Sequence, residues 1–177
     1  MCGIVAYIGN KDPKPILMEG LRRLEYRGYD SAGILVCNNS KSQLSKIAGK
    51  VNALSKILES KTDITPHLGI GHTRWATHGD KTDLNAHPHF DHKERIALVH
   101  NGIITNCFAL KQQLKAEFGI EPKSETDTEI AALWIGVFLD KGQSLTEAIK
   151  SAVQVLEGAY SFVIISVLDP EAMYIVK

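Results

Sequence analysis

Met1-Cys2-Gly3-Ile4-Val5-Ala6 opens the chain. Initiator methionine is trimmed when the next side chain is small, and cysteine is small enough, so the expected mature terminus is Cys2. That residue then carries a thiol and a free α-amine together. The amine, with a pKa of about 7.7–8.0, is partly neutral near physiological pH and can act as base for its own thiol. No fold has to bring the two groups together, because a few covalent bonds already do. A small second residue is also common for translational reasons alone, so Cys2 gains weight only from the residues that follow. Residues 4–8 read as a strand closed by Gly9-Asn10, which sets the thiol at a strand start.

Working outward, residues 14–27 read as a helix, with Leu17, Leu21 and Leu24 at helical spacing and Gly28 at its end. Residues 32–38 predict a strand and 50–60 a helix. Strands follow at 68–75 and 95–100, then helices at 106–118 and 128–141. Ser144-Leu145-Thr146-Glu147 is a capping box that opens a last helix running to Leu156. Residues 160–168 and 173–176 are late strands. Helices come in pairs between groups of strands, not in the strict alternation of a parallel βαβ chain. The expected class is α+β, with mainly antiparallel sheets and helices on their outer faces.

The 177 residues suffice for one domain with a substantial core. Twenty basic and twenty acidic residues cancel, which leaves no electrostatic footprint for nucleic acid or an anionic membrane. Apolar runs such as 162–167 are far too short to span a bilayer, and no signal peptide is read at the start. Cys2, Cys37 and Cys107 are odd in number and form no CxxC pair, which points to a reducing cytoplasm. Cys37 reads as a buried small hydrophobe. Cys107 reads as a packing residue near a helix start, where the helix dipole would lower its pKa modestly.

Four further segments place costly polar groups at the ends of apolar runs. They are Tyr26-Arg27-Gly28-Tyr29-Asp30-Ser31-Ala32-Gly33, His72-Thr73-Arg74-Trp75-Ala76-Thr77-His78-Gly79, His100-Asn101-Gly102 and Thr126-Asp127-Thr128. A thiol nucleophile implies acyl transfer, and acyl transfer needs oxyanion donors. Asn101-Gly102 offers a side-chain amide and an unhindered N–H; it is equally a tight hairpin turn. Arg74 offers a planar fork for a carboxylate, or one half of a structural ion pair. Asp127 can accept a substrate ammonium, or cap a helix. Taken together these groups describe an amide-cleaving pocket for a zwitterionic amino acid, glutamine or asparagine.

Cys2-Gly3-Ile4, HTRWATHG at 72–79, NAHPH at 85–89, HNG at 100–102 and TDTE at 126–129 resemble the class II glutamine amidotransferases. Those belong to the N-terminal-nucleophile hydrolases. The run from Leu21 to Gly33 resembles the glucosamine-6-phosphate synthase branch of that family, and the likeness covers essentially all of 1–177. The resemblance implies a four-layer αββα sandwich and a single glutaminase domain. Cys2 is then the nucleophile, with its own amine as base, and Asn101 and the Gly102 N–H form the oxyanion hole. Arg74 binds the α-carboxylate of L-glutamine, helped by Thr77 and His78, and Asp127 binds its α-ammonium. Trp75 lines the pocket near the thiol, and Arg27 with the 28–31 loop supports Cys2. His87 and His89 match the family's run and receive no catalytic role. No cofactor and no metal are implied.

The resemblance also implies a downstream isomerase portion with a fructose 6-phosphate site, and a homo-oligomeric full-length enzyme. Residues 173–177 read as a strand and not as a polar linker, as expected of a domain cut from such a protein. Three positions depart from the family's pattern. Lys81 stands where a proline is expected and so loosens the loop over the pocket; Thr105 replaces an acid, and Cys107 a larger residue. Two rival readings remain from the residues alone. In one, His87 and His89 join Asp127 or Cys2 as a zinc site in a loop-like stretch. In the other, the chain is a glutamine sensor that binds without turnover.

Overall fold

The computed structural model describes residues 2–38, 41–59, 66–76 and 79–177. Two four-stranded antiparallel sheets lie face to face. The first has the order β1-β4-β2-β3, from Gly3–Ile8, Leu68–Arg74, Ser31–Cys37 and Ser42–Ala48. The second has the order β5-β6-β7-β8, from His89–Phe90, Ile96–Ile104, Gly158–Ser166 and Asp169–Val176.

Strand alternation builds four layers from these sheets. On β2, Ala32, Ile34 and Val36 face outward. They pack on Leu17, Met18 and Leu21 of α1 (Pro13–Leu24) and on Val51 and Leu54 of α2 (Val51–Glu59). Leu35 and Cys37 face inward, with Leu68 and Ile70, and meet Ala97, Val99, Val163 and Ile165 of the second sheet. The outward residues of β6 and β7, Ile96, Leu98, Phe162 and Ile164, pack under three helices. These are α3 (Cys107–Phe118), α4 (Asp127–Asp140) and α5 (Leu145–Val155). The order is helix, sheet, sheet, helix, as the resemblance implies.

Local chemistry fixes the helix ends. Asp12 accepts from the Lys14 N–H at 2.9 Å to start α1. Thr126 caps α4, and the Ser144–Glu147 capping box opens α5. Gly119, at φ 66°, closes α3.

Several boundaries differ from the sequence expectation. The helix expected over 14–27 ends at Leu24, and Glu25–Arg27 tightens into a 3-10 turn. Strand β3 was not expected, because its polar residues belong to a half-exposed edge where only Ser45 is buried. The strand expected to stop at 100 continues to Ile104. β8 begins at Asp169 and not at 173; it tolerates Pro170 because it is an edge strand. Among the described residues no helix is long and apolar enough to cross a membrane.

Candidate active site

The inward face of the sandwich changes character at one end. Along β4 the same face carries Leu68 and Ile70, then His72 and Arg74. Along β6 it carries Ala97 and Val99, then Asn101. Cys2 immediately precedes β1, whose Gly3 pairs with Thr73 and Ile4 with His72, so the terminus arrives beside this polar end. A cavity of about 500 Å³ opens there. Cys2, Arg27, Arg74, Trp75, Asn101, Gly102 and Asp127 all line it. Thr77 and His78 lie outside the described residues.

Cys2 Sγ accepts a hydrogen bond from the Trp75 backbone N–H at 3.1 Å and lies 3.5 Å from the carbonyl oxygen of the same residue. The loop after the 3-10 turn holds that donor in place. A Cβ on Gly28 would sit 3.1 Å from Trp75 N and from the Arg74 carbonyl carbon, so only glycine packs there without displacing the backbone. Asp30 N–H donates to Arg74 O at 3.0 Å, and Asp30 Oδ2 accepts from Ala76 N–H at 3.0 Å. The indole of Trp75 is half-exposed at the rim and meets Tyr29 edge-on, with ring centroids 5.8 Å apart.

Lys81 pairs with Asp30. Its Nζ lies 2.7 Å from Asp30 Oδ1, an ion pair on the same carboxylate that holds Ala76. Burial alone would raise the Asp30 pKa, but Lys81 and the Ala76 N–H outweigh it and lower it.

Asn101-Gly102 is not a turn. Both residues lie within β6, opposite Ser161 and Tyr160. Gly102 has φ 134°, and a Cβ there would fall 2.2 Å from Ala159 O, so no other residue fits. Asn101 Nδ2 donates to Cys2 O at 3.3 Å, which sets the amide against the nucleophile's own residue.

Arg74 is buried at 4% exposure and donates to Gly79 O at 3.2 Å and Asp80 O at 3.1 Å. Burial disfavours its charge, while Cys2, Asp30, Asp127 and Glu125 favour it. Asp127 is the first residue of α4 and not its cap, a role that Thr126 fills. One carboxylate oxygen of Asp127 accepts from Ile104 N–H at 2.9 Å, and the other lies 3.6 Å from His100 Nδ1.

A block of histidines under the pocket was not foreseen. His72, His87, His89 and His100 are all buried. His87 lies flat on His72 with centroids 4.2 Å apart. Thr128 Oγ1 serves both His87 Nε2, at 3.1 Å, and His100 Nδ1, at 2.9 Å; Thr126 Oγ1 meets His89 Nε2 at 3.0 Å. The 85–89 stretch is therefore no surface loop. A Cβ on Gly33 would lie 2.1 Å from His87 O, so glycine is what admits this segment against β2. Lys46 Nζ then clasps its carbonyls at Leu84 and Ala86, at 3.0 and 2.8 Å.

Burial lowers the pKa of His72 to about 3 and holds His87 and His89 well below the usual histidine value. Among the described residues no three His, Cys, Asp or Glu side chains gather as a cation site. Cys37 is buried as expected, its thiol pushed up to about 11. The Cys107 pKa is raised, because burial and Asp127 outweigh the lowering by the helix-start N–H groups of Cys107 and Phe108.

The sequence model described as a glutamine amidotransferase domain matches residues 72–176. The chain belongs to that family. Over its whole length the chain is 49% identical, across 179 residues, to the glutamine–fructose-6-phosphate aminotransferase (isomerizing) of Streptococcus pyogenes. It is 48% identical over 177 residues to the protein of the same name from Aquifex aeolicus. In each case it spans 29% of the relative's length. Among solved structures it is similar to the glutamine phosphoribosylpyrophosphate amidotransferase from B. subtilis. That match has a TM-score of 0.78 and 27% identity, and covers 94% of this chain and 35% of the other. The two antiparallel sheets with flanking helices are thus an amidotransferase sandwich of the N-terminal-nucleophile type.

Proposed function

We propose that this domain hydrolyses L-glutamine to glutamate and ammonia, with Cys2 as nucleophile once Met1 has been removed. The observation that carries the reading is that one cavity brings together Cys2, Asn101, Gly102, Arg74 and Asp127. The free amine of Cys2 takes the thiol proton, and the Trp75 N–H stabilises the sulfur that remains. The sulfur attacks the side-chain carbonyl carbon of glutamine. Negative charge moves to the carbonyl oxygen, where Asn101 Nδ2 and the Gly102 N–H receive it. Collapse breaks the C–N bond, the protonated amine gives its proton to the leaving nitrogen, and ammonia departs. Water then cleaves the thioester, releases glutamate and restores the thiol.

Arg74 holds the α-carboxylate, and Asp127 holds the α-ammonium. Thr77 and His78 assist at the carboxylate, and Arg27 supports the terminus. In the longer protein the ammonia passes to a fructose 6-phosphate site in an isomerase portion, giving glucosamine 6-phosphate. The relatives' names and the share of their length that this chain spans support that extension. The same reading makes the full enzyme a cytoplasmic homo-oligomer, in keeping with three cysteines that form no disulfide.

Incubating the chain with glutamine and no metal should give glutamate and ammonia in equal amounts, from molecules whose intact mass lacks Met1. A diazo-ketone glutamine analogue should label Cys2 and spare Cys37 and Cys107. Binding without turnover in Met1-free protein, or a label on either of the other cysteines, overturns the reading.

A further inference from the structure

We propose that His72 is a positioning residue for the oxyanion donor: its Nε2–H holds Asn101 Oδ1, and so keeps the amide nitrogen of Asn101 turned toward Cys2. This rests on the roles given to Cys2 and Asn101 under Proposed function. A terminal amide has two ends on a soft, nearly two-fold torsion, and only its NH2 end can stabilise a developing anion. Packing barely distinguishes the two ends, because they are almost the same size. Hydrogen bonding has to choose.

The contacts around Asn101 make that choice. One end lies 3.3 Å from the carbonyl oxygen of Cys2, an atom that only accepts, so this end is Nδ2. The other end is then Oδ1, and it lies 3.0 Å from His72 Nε2. An amide oxygen only accepts, so the proton in that contact belongs to His72. A flipped amide would set oxygen against oxygen at Cys2 and aim lone pairs at the place where negative charge forms.

The fold holds His72 in place for this task. It sits on the inward face of β4, two residues before Arg74, and is 1% exposed. Its ring is stacked on His87, with an interplanar angle of 22°, which fixes the plane in which Nε2 points. Burial, with only partial compensation from Asn101 and the His100 backbone, keeps the ring neutral, so it has one proton to place. His100 is next to Asn101 in sequence but cannot do this. It faces the other side of its strand, and its Nδ1 pairs with Thr128 Oγ1 at 2.9 Å.

The test compares His72→Phe, which keeps a flat ring without the donor, with His72→Gln, which keeps a donor near the Nε2 position. Steady-state glutaminase assays on Met1-free protein should show kcat lowered about 10- to 100-fold in His72→Phe, below the full loss of an oxyanion donor. The glutamine KM should stay within about two-fold, because recognition lies with other residues. His72→Gln should recover most of kcat. Cys2→Ala and Asn101→Ala are run beside them. If both of those destroy turnover while His72→Phe matches the parent, the positioning role is wrong and the catalytic reading stands. If those two retain turnover, the catalytic reading itself fails. Should His72→Phe not fold, imidazole 15N shifts of the unaltered protein decide: an Nε2–H tautomer at His72 is required, and an Nδ1–H tautomer refutes the proposal.

Discussion

The two ends of the layer between the sheets are built by one rule and reach opposite outcomes. At one end, Leu35, Leu68, Ile70, Val99 and Ile165 interdigitate as an ordinary apolar core. At the other, the same alternating positions of the same strands hold His72, Arg74 and Asn101, and the 85–89 segment is wedged in beside them. The apolar end is stabilised by removing surface from water. The polar end and the helix side behind it bury four imidazoles and a guanidinium, each a cost that hydrogen bonds only offset. A domain can afford the second because it has the first. Strands held rigid over Leu68–Ile70 deliver His72 and Arg74 to fixed places one step further along.

Experiments can break or sharpen this contrast. The largest effect is expected from Cys2→Ala, which should abolish glutamine turnover while calorimetry still detects glutamine binding, because Arg74 and Asp127 remain. Next comes Arg74→Ala. Removing one partner of a buried charged contact costs roughly 2–5 kcal/mol, so glutamine affinity should collapse, with Arg74→Lys restoring only part of it. If Arg74→Ala binds normally, the polar end is not the substrate site.

A third expectation concerns acid. His72, His87 and His89 are held neutral in the fold, His72 with its pKa near 3, whereas in the unfolded chain each titrates near 6.5. Below that value the unfolded chain binds more protons. Stability is therefore fully present above about pH 6.5 and falls as pH drops toward the folded values, by roughly 1 kcal/mol per pH unit for each imidazole. Urea midpoints between about pH 7 and 5, above the carboxylate range, measure it. His72→Gln should remove one histidine's share, and a flat profile in the parent would contradict the burial of the cluster. The smallest effect is expected from Ile70→Val, at the seam between the two ends. It should cost about 0.5–1.5 kcal/mol of stability and leave kcat and KM unchanged. A change in kcat would show that the seam is not sharp.

Much of this was legible in the sequence because periodicity carries it. Strand-like apolar runs in 32–38 and 95–100, helical spacing in 17–24 and the long apolar stretch 128–141 foretell the layers. The motifs place Cys2, Arg74, Asn101 and Asp127 on one cavity. What stayed hidden was decided by partners distant in sequence. β3 carries no strong pattern, and its pairing to β2 defines it. The turn-like dipeptide Asn101-Gly102 is a strand because Ser161 and Tyr160 lie opposite. The 85–89 histidines looked like loop residues because their burial depends on the missing side chain of Gly33, the reach of Lys46 and two threonines of the 126–128 segment. One signal was available and unused: His72 lies two residues before Arg74, hence on the same strand face.

Helix α4 is tied down at both ends. At its start Asp127 takes the Ile104 N–H, Thr128 meets two histidines, and Glu129 accepts from Lys123 N–H at 2.9 Å. At its end Asp140 accepts from Arg95 at 2.6 Å and from Lys93 at 2.8 Å, and lies 2.8 Å from His92 Nε2. Arg95 and Ile104 flank and end the same strand, β6, so the helix and strand are fastened like two rods bolted at each end. An inserted residue turns everything beyond it by about 100°. Any insertion or deletion within Asp127–Asp140 would swing one set of bolts out of reach. The helix is thus a spacer of fixed length, and added residues should be tolerated only in the loops around it.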